Sequence, residues 1–186
     1  MDDLHAIRRL KNGDIGGLEI LIACYQEKAV RTAYLVTHDE PMAEDVVQDA
    51  FVRFYERARH FDERRPFEPY FLRSVVHTAL NAVEKEHHTT ALPDEEVDIR
   101  AFECLLARAS TVEEQVEYTQ MKREIHRALG ALSPRQRAAA VQRYYLDMSE
   151  KEMSEALDVA PGTVKWLLNA ARARLRTLLG SVRSVE

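Results

Sequence analysis

Apolar side chains recur every three to four residues along most of this sequence, and no sustained stretch alternates apolar with polar residues. The first spacing gathers apolar side chains on one face of an α-helix, whereas strict alternation is typical of a half-buried β-strand. Glycine and proline, the residues that most often end helices, number only 6 each among 186 residues. The sequence therefore predicts an all-α protein, and its length suffices for one large or two small domains.

The helical pattern breaks in an acidic stretch near the middle of the chain. There Pro93 is followed directly by the acidic run 94–96, and at most one or two helical turns are expected around residues 99–107. We interpret this stretch as a linker that leads into the first helix of a second domain. The predicted divisions are a first helical domain at 1–86, an acidic linker at 87–120 and a second helical domain at 121–182.

Charge is distributed unevenly over these divisions. The net charge of -5 is made up of -3 in residues 1–85, -7 in residues 86–120 and +5 in residues 121–186. A basic C-terminal third suits a nucleic-acid surface, whereas an acidic middle suits a different and positively charged environment. The distribution thus indicates two different partners in spite of the acidic total.

Several functional classes are disfavoured by the sequence. The apolar runs are too short for a transmembrane span, and the first ten residues lack the apolar core of a signal peptide, so a cytoplasmic protein is expected. Cys24 and Cys104 are expected to be reduced thiols, and the grouping of His87 and His88 with Cys104 fits no standard metal-ligand spacing. Without a nucleophile elbow or a phosphate-binding glycine loop, we expect no enzyme activity, cofactor, metal ion or small-molecule substrate.

Residues 149–176 have the pattern of a helix-turn-helix. Ser149 and Glu152 form a capping box at the start of one helix, and Pro161 suits the first turn of the next. The second helix combines a narrow apolar stripe with a flank of basic and hydrogen-bonding residues, as in a recognition helix that enters the DNA major groove. On pattern alone, a plain helical hairpin with Trp166 as a surface aromatic residue is the alternative. The apolar stripe consists of Val164, Leu168, Ala171, Leu175 and Leu178.

Two helices of the first domain carry polar faces of distinct character. One helix, opened by Pro41 and running to Ala58, has a wide apolar stripe and an acidic opposite side. The next helix carries a line of side chains at i+4 steps that can hydrogen-bond to bases or phosphates. An ordinary solvated face is the alternative interpretation of that line. Its members are Arg73, His77, Asn81 and Lys85.

Three sequence blocks together carry a family resemblance. "AEDVVQDAFVRFY" and "FDERRPFEPYFLRSVVHTALNAV" resemble region 2 of an extracytoplasmic-function (ECF) sigma factor of bacterial RNA polymerase. "LSPRQRAAAVQRYYLDMSEKEMSEALDVAPGTVKWLLNAARARLRTLL" resembles region 4 of the same family, and the order and separation of the blocks also match. The resemblance implies two small helical domains, a region 2 bundle and a region 4 helix-turn-helix, joined by the acidic linker.

The resemblance also implies partners and the residues that bind them. Core RNA polymerase and promoter DNA are the expected partners, together with an anti-sigma factor, and the acidic linker is expected in the positively charged cleft of the polymerase. The expected polymerase contacts are Asp45, Gln48 and Asp49. The residues expected at the downstream promoter element are Phe61, Arg65, Arg73, His77, Asn81 and Lys85. Those expected at the upstream element are Thr163, Lys165, Trp166, Asn169, Arg172 and Arg176.

This chain departs from the family pattern at several of these positions. Tyr70 stands where the family usually has Trp, and Asp158 replaces a corner glycine, which Asp can do because it tolerates the left-handed conformation. The helix that carries the line from Arg73 to Lys85, which is the strand-opening helix of the family, is less basic than usual. Because both regions depart from the family pattern, the promoter sequence does not follow from that pattern. The alternatives are a helix-turn-helix regulator that acts without polymerase, and a degenerate sigma-like interaction protein. The other departures are His77, Asn81, Glu84 and Lys85 in region 2, and Trp166, Leu167, Asn169 and Ala170 in region 4.

Overall fold

The computed structural model describes residues 3–89 and 114–182, and within these ranges every regular element is helical. The all-α prediction is therefore confirmed. Contacts divide the chain into two compact units, Met1–Ala82 and Val83–Glu186. Most of the predicted linker, with its expected turns at 99–107 and Cys104, lies outside the described residues. In the described part of the chain, no helix is long and apolar enough to cross a membrane.

The N-terminal unit is built from four helices and one short turn. Helix α1 spans Asp3–Lys11, α2 spans Gly16–Thr37, α3 spans Glu40–Arg57, a 3-10 turn spans Ala58–His60, and α4 starts in this unit and spans Phe67–Thr89. The reversal from α2 to α3 has a local cause. His38 ends α2 in the left-handed conformation, and Asp39 starts α3 by accepting a 2.6 Å hydrogen bond from the Met42 N–H.

Aromatic side chains fill the core beneath α3 and α4. The Phe51 and Phe71 rings lie 4.4 Å apart, and the Phe54 and Phe67 rings meet edge to face at 4.7 Å. Helix α1 closes one side of this unit by crossing α2 at Gly17, where an added Cβ would lie 2.2 Å from the Ala6 carbonyl oxygen. Only glycine permits this close approach, and the contact therefore fixes the position at which α1 packs against α2.

Within residues 114–182, the C-terminal unit contains four further helices. Helix α5 spans Glu114–Gly130, α6 spans Pro134–Ala140, a π-helical turn spans Val141–Tyr145, α7 spans Glu150–Leu157, and α8 spans Pro161–Val182. The capping box predicted at Ser149 and Glu152 is present, and Asp158 adopts the left-handed conformation with φ 51°. Asp147 does the same before α7, with φ 50°. The core shared by α6, α7 and α8 includes Ala139, Met148, Met153, Val164, Leu167 and Leu168.

Among the described residues of this unit, three polar side chains are buried, those of His126, Arg137 and Gln142. Arg137 donates to the carbonyl oxygens of Gly130 and Leu132 at 3.2 and 3.3 Å, and so satisfies acceptors at the end of α5. Burial lowers the pKa of Arg137 to about 10. Burial, followed by the charge of Arg137, lowers the pKa of His126 to about 4, so this imidazole is neutral at pH 7.

Candidate nucleic-acid interface

Helix α8 packs through its predicted stripe and exposes the opposite side. Val164, Leu168 and Ala171 are buried, and Leu175 and Leu178 are half-buried. Leu167 is also buried, which widens the stripe beyond the prediction. The predicted upstream-element residues are all exposed on the rest of the helix. They are Thr163, Lys165, Trp166, Asn169, Arg172 and Arg176.

The outer side of α8 combines an apolar surface with cations. Trp166 exposes 63% of its surface. Lys165 lies 3.8 Å from a carboxylate oxygen of Glu150 at the start of α7. Because both partners of this pair are largely exposed, solvent screens it and the Lys165 ammonium can exchange Glu150 for a phosphate.

Arg172 is held by a residue that sequence reasoning missed. Its Nε donates a 2.5 Å hydrogen bond to Tyr144 Oη, and its guanidinium lies 5.9 Å from the centre of the Tyr144 ring. This hydrogen bond is the largest of the influences that raise the pKa of Arg172. The two residues are 28 positions apart, so no local spacing in the sequence signals the pair. Arg172 and Arg176 also line a groove of about 520 Å³ with Met121, Ile125 and Tyr144.

A second concavity lies in the N-terminal unit, at the loop 61–66 between the 3-10 turn and α4. It encloses about 570 Å³. Arg65 is exposed, whereas Phe61 is only 7% exposed and its ring packs 4.9 Å from that of Tyr70. Of the predicted downstream-element residues, the structure thus brings Phe61 and Arg65 together in one cavity. Its lining consists of Arg57, His60, Phe61, Asp62, Arg65 and Tyr70, of which sequence reasoning had not selected Arg57, His60 or Asp62.

The predicted line along α4 lies outside the lining of this cavity. His77, Asn81 and Lys85 are exposed, and Arg73 is half-buried with its Nε donating to the Pro69 carbonyl oxygen at 3.2 Å. Asn81 Nδ2 donates to His77 Nε2 at 3.1 Å, one turn away on the same helix. These two side chains therefore form a linked pair of hydrogen-bonding groups on the helix surface.

Helix α3 presents the predicted acidic face. Asp45, Gln48 and Asp49 are exposed, whereas Val46, Val47 and Ala50 are among the buried residues on the other side. One and two turns further on, Val52 and Tyr55 expose 54% and 43% of their surfaces. The exposed face of α3 is therefore acidic near its start, whereas near its end these two large apolar side chains lie among exposed charged residues. Polar or charged surroundings with an apolar centre are typical of protein contact surfaces.

Two protein-family sequence models match this chain, one mainly in each unit. Residues 21–89 match Sigma-70 region 2, and residues 122–175 match Sigma-70 region 4. The first range contains α3, the loop 61–66 and α4, and the second contains α7 and most of α8. Together the two ranges cover well over half of the sequence. The chain belongs to the sigma-70 family of RNA polymerase sigma factors.

Curated relatives narrow this class. The chain is 25% identical over 177 residues to the ECF RNA polymerase sigma factor SigW of Bacillus subtilis, with 93% of this chain and 94% of the relative covered. It is 29% identical over 168 residues to the RNA polymerase sigma-E factor of Streptomyces coelicolor, covering 88% and 86%. Within the sigma-70 family, the chain is a sigma factor of the extracytoplasmic-function type.

Solved structures share the fold. The structure of CnrH in complex with the cytosolic domain of CnrY matches with a TM-score of 0.63 and 21% identity, covering 96% of this chain and 97% of that one. The sigma factor RpoE from Bartonella quintana, crystallised with the anti-sigma factor NepR, matches with a TM-score of 0.63 and 18% identity, covering 87% and 96%. The fold is therefore one that the sigma factor RpoE also has.

Proposed function

We propose that this sigma factor binds bacterial core RNA polymerase and directs it to a specific set of promoters. The observation that carries the proposal is the presence of both region 2 and region 4 in one chain, in the family order. A regulator that acts on DNA without polymerase needs the helix-turn-helix but has no use for region 2. The protein acts in the cytoplasm as a regulatory factor and contributes no catalytic group of its own.

Polymerase binding is assigned to the exposed face of α3. Asp45, Gln48 and Asp49 supply acidic and hydrogen-bonding groups, and the exposed side chains of Val52 and Tyr55 extend the same face with apolar surface. Such a face steers a basic partner by its charge and holds that partner by burying the apolar centre.

Promoter opening is assigned to the loop 61–66 and the line along α4. The cavity at the loop offers the exposed ring of Tyr70, which packs against the buried ring of Phe61, and cationic groups at Arg57 and Arg65. Unstacked bases bind to surfaces of this composition, because rings stack on bases and cations pair with the adjacent phosphates. The single strand then lies along α4, where it contacts Arg73, His77, Asn81 and Lys85.

Upstream recognition is assigned to α8. Trp166 packs against a thymine methyl or a sugar, Asn169 reaches a base edge, and Thr163, Lys165, Arg172 and Arg176 contact the neighbouring backbone. Promoter DNA binding by the free chain is weak in this scheme. The polymerase supplies most of the binding surface, and α8 mainly adds sequence choice.

An anti-sigma factor is the second protein partner that we propose. Two proteins of the same fold are seen in complexes: CnrH with the cytosolic domain of CnrY, and the sigma factor RpoE with the anti-sigma factor NepR. The exposed indole of Trp166 gives such a partner an aromatic anchor in the absence of DNA.

Run-off transcription with purified core polymerase and genomic promoter fragments tests the proposed function. The expected result is a set of discrete transcripts that require both this chain and core polymerase. Binding to DNA fragments without any polymerase-dependent transcript would instead identify a free-standing regulator. Binding to core polymerase without transcription would identify a degenerate interaction protein.

A further inference from the structure

The loop 61–66 is anchored at its two ends by buried aromatic rings. Phe61 is 7% exposed and Phe67 is 1% exposed, and the two rings lie 6.2 Å apart. Between these anchors, Arg64, Arg65 and Pro66 are exposed. The loop therefore presents its tip to solvent while its ends belong to the core.

Asp62 folds the loop into a tight turn. Its Oδ1 accepts hydrogen bonds from the Arg64 N–H and the Arg64 Nε, both at 3.1 Å. Its carbonyl oxygen accepts the Arg65 N–H at 3.0 Å. These bonds close the turn from within, but they do not fix the turn relative to the rest of the unit.

Glu63 makes that second connection, to helix α1. Its Oε2 accepts a 2.9 Å hydrogen bond from Arg8 Nε, and its Oε1 accepts a 3.0 Å hydrogen bond from Lys11 Nζ. The side chains of Glu63 and Lys11 are only 30% and 24% exposed. Lys11, followed by Arg8, lowers the pKa of the Glu63 carboxyl group, which is therefore ionised at neutral pH. Both bonds are charge-assisted, and both cations lie more than fifty residues before the loop.

Helix α1 is a firm support for these bonds. Ala6, Ile7 and Leu10 are buried, and the close crossing at Gly17 seats the helix on α2. Tyr25 on α2 donates a 2.6 Å hydrogen bond to Asp3 at the start of α1. The bonds from Glu63 to this helix therefore fix the loop relative to the rest of the N-terminal unit.

We propose that Arg8, Lys11 and Glu63 position the loop 61–66 for reading the downstream promoter element. This inference rests on the proposed function, in which the cavity lined by Phe61, Arg65 and Tyr70 receives an unstacked base. The three residues act through the loop: they hold it in one conformation before DNA arrives. A loop that is already ordered loses less conformational entropy on binding, and it distinguishes correct from incorrect bases more sharply.

Glu63→Gln is the principal test. It removes the charge that both cations share but keeps the size of the side chain. The measurement is transcription from the protein's own promoter in competition with a copy altered in the downstream element, together with 2-aminopurine fluorescence at the melted bases. We expect discrimination to fall about two- to fivefold, as for the loss of a partly exposed ion pair. Affinity for core polymerase should not change.

Changes on α1 test the same connection from its other side. Lys11→Gln should lower discrimination less than Glu63→Gln does, because Arg8 still bonds to Glu63. The double variant should be no worse than Glu63→Gln alone, because that change already weakens both bonds. Lys11→Arg keeps the charge and should retain most of the discrimination. Asp14→Asn is the matched control, since it breaks the Arg9–Asp14 ion pair of 2.7 Å at the end of α1 without touching the loop. It should leave discrimination unchanged.

Arg65→Ala separates failure of this inference from failure of the proposed function. If Arg65→Ala impairs promoter opening while Glu63→Gln and Lys11→Gln discriminate like the wild type, the positioning role is wrong and the downstream site stands. If Arg65→Ala leaves opening intact, the downstream site is itself misassigned, and the positioning role is lost with it. A loss of discrimination in Asp14→Asn equal to that in Glu63→Gln would show a general effect on α1 and would also overturn the inference.

Discussion

Trp166 exposes 63% of its surface on the outer side of α8, beside the exposed side chains of Lys165 and Asn169. An indole of this exposure leaves a large apolar area in water, which is unfavourable unless a partner covers it. DNA and an anti-sigma factor are the two partners that the proposed function supplies. Trp166 contributes to promoter selectivity only if DNA is the partner that covers it.

Trp166→Ala should reduce promoter selectivity if the indole contacts a base. The expected loss is about 1–3 kcal/mol of discrimination, the contribution of one good base contact. Arg172→Ala should instead weaken binding to all DNA sequences and reduce the salt dependence of binding, because Arg172 is assigned to the DNA backbone. The measurement is transcription from the protein's own promoter in competition with one altered in the upstream element, with no other protein factor present. Intact discrimination by Trp166→Ala would rule out the DNA role and leave the protein partner as the explanation.

At the scale of elements, the corner between α7 and α8 depends on one residue in an unusual conformation. Asp158 has φ 51°, and its N–H bonds to the Ser154 carbonyl oxygen. We expect Asp158→Ala to destabilise the protein by about 1 kcal/mol, because a Cβ without a polar group disfavours this conformation. Asp158→Gly should be neutral or slightly stabilising. Urea denaturation followed by circular dichroism measures both, and equal stability of the two variants would contradict the argument.

The proposed binding of core polymerase to the exposed face of α3 can be tested by changing residues on that face. Asp45→Arg combined with Gln48→Ala should weaken binding to core polymerase at least tenfold, because it reverses a charge on the proposed contact surface and removes a hydrogen-bonding group. Helicity by circular dichroism should not change, since both side chains are exposed. Glu19→Arg, a charge reversal at an exposed position of α2, is the control. Unchanged affinity of the double variant in a pull-down would remove α3 from the interface.

The elements that sequence reasoning predicted well are those fixed by local chemistry. The capping box at Ser149 and Glu152 and the left-handed Asp158 involve residues within a few positions of one another, so their pattern is legible in the sequence. The bonds from Tyr144 to Arg172 and from Glu63 to Arg8 join residues 28 and 55 positions apart. Such pairs form only when helices pack, so no spacing rule reveals them.

At the scale of the whole molecule, the charge distribution agrees with the proposal that the helix-turn-helix binds DNA while the acidic linker lies in the polymerase. Residues 121–186 carry +5 and include the helix-turn-helix, whereas residues 86–120 carry -7. An acidic total therefore does not argue against DNA binding, because the polymerase contributes much of the attraction for DNA. The same basic region also contains the buried imidazole of His126, which makes the stability of the protein depend on pH.

His126 is neutral when folded, since burial, followed by the charge of Arg137, lowers its pKa from 6.5 to about 4. Between these two values the unfolded chain binds more protons, so stability should fall as pH falls from about 6.5 and the loss should be complete below about 4. The shift corresponds to at most about 3 kcal/mol. Thermal melts of the wild type and of His126→Gln at a series of pH values isolate this contribution, because the carboxylates contribute equally to both proteins. The gap in stability between them should shrink or reverse on acidification, and parallel curves would show that His126 does not titrate with the lowered pKa.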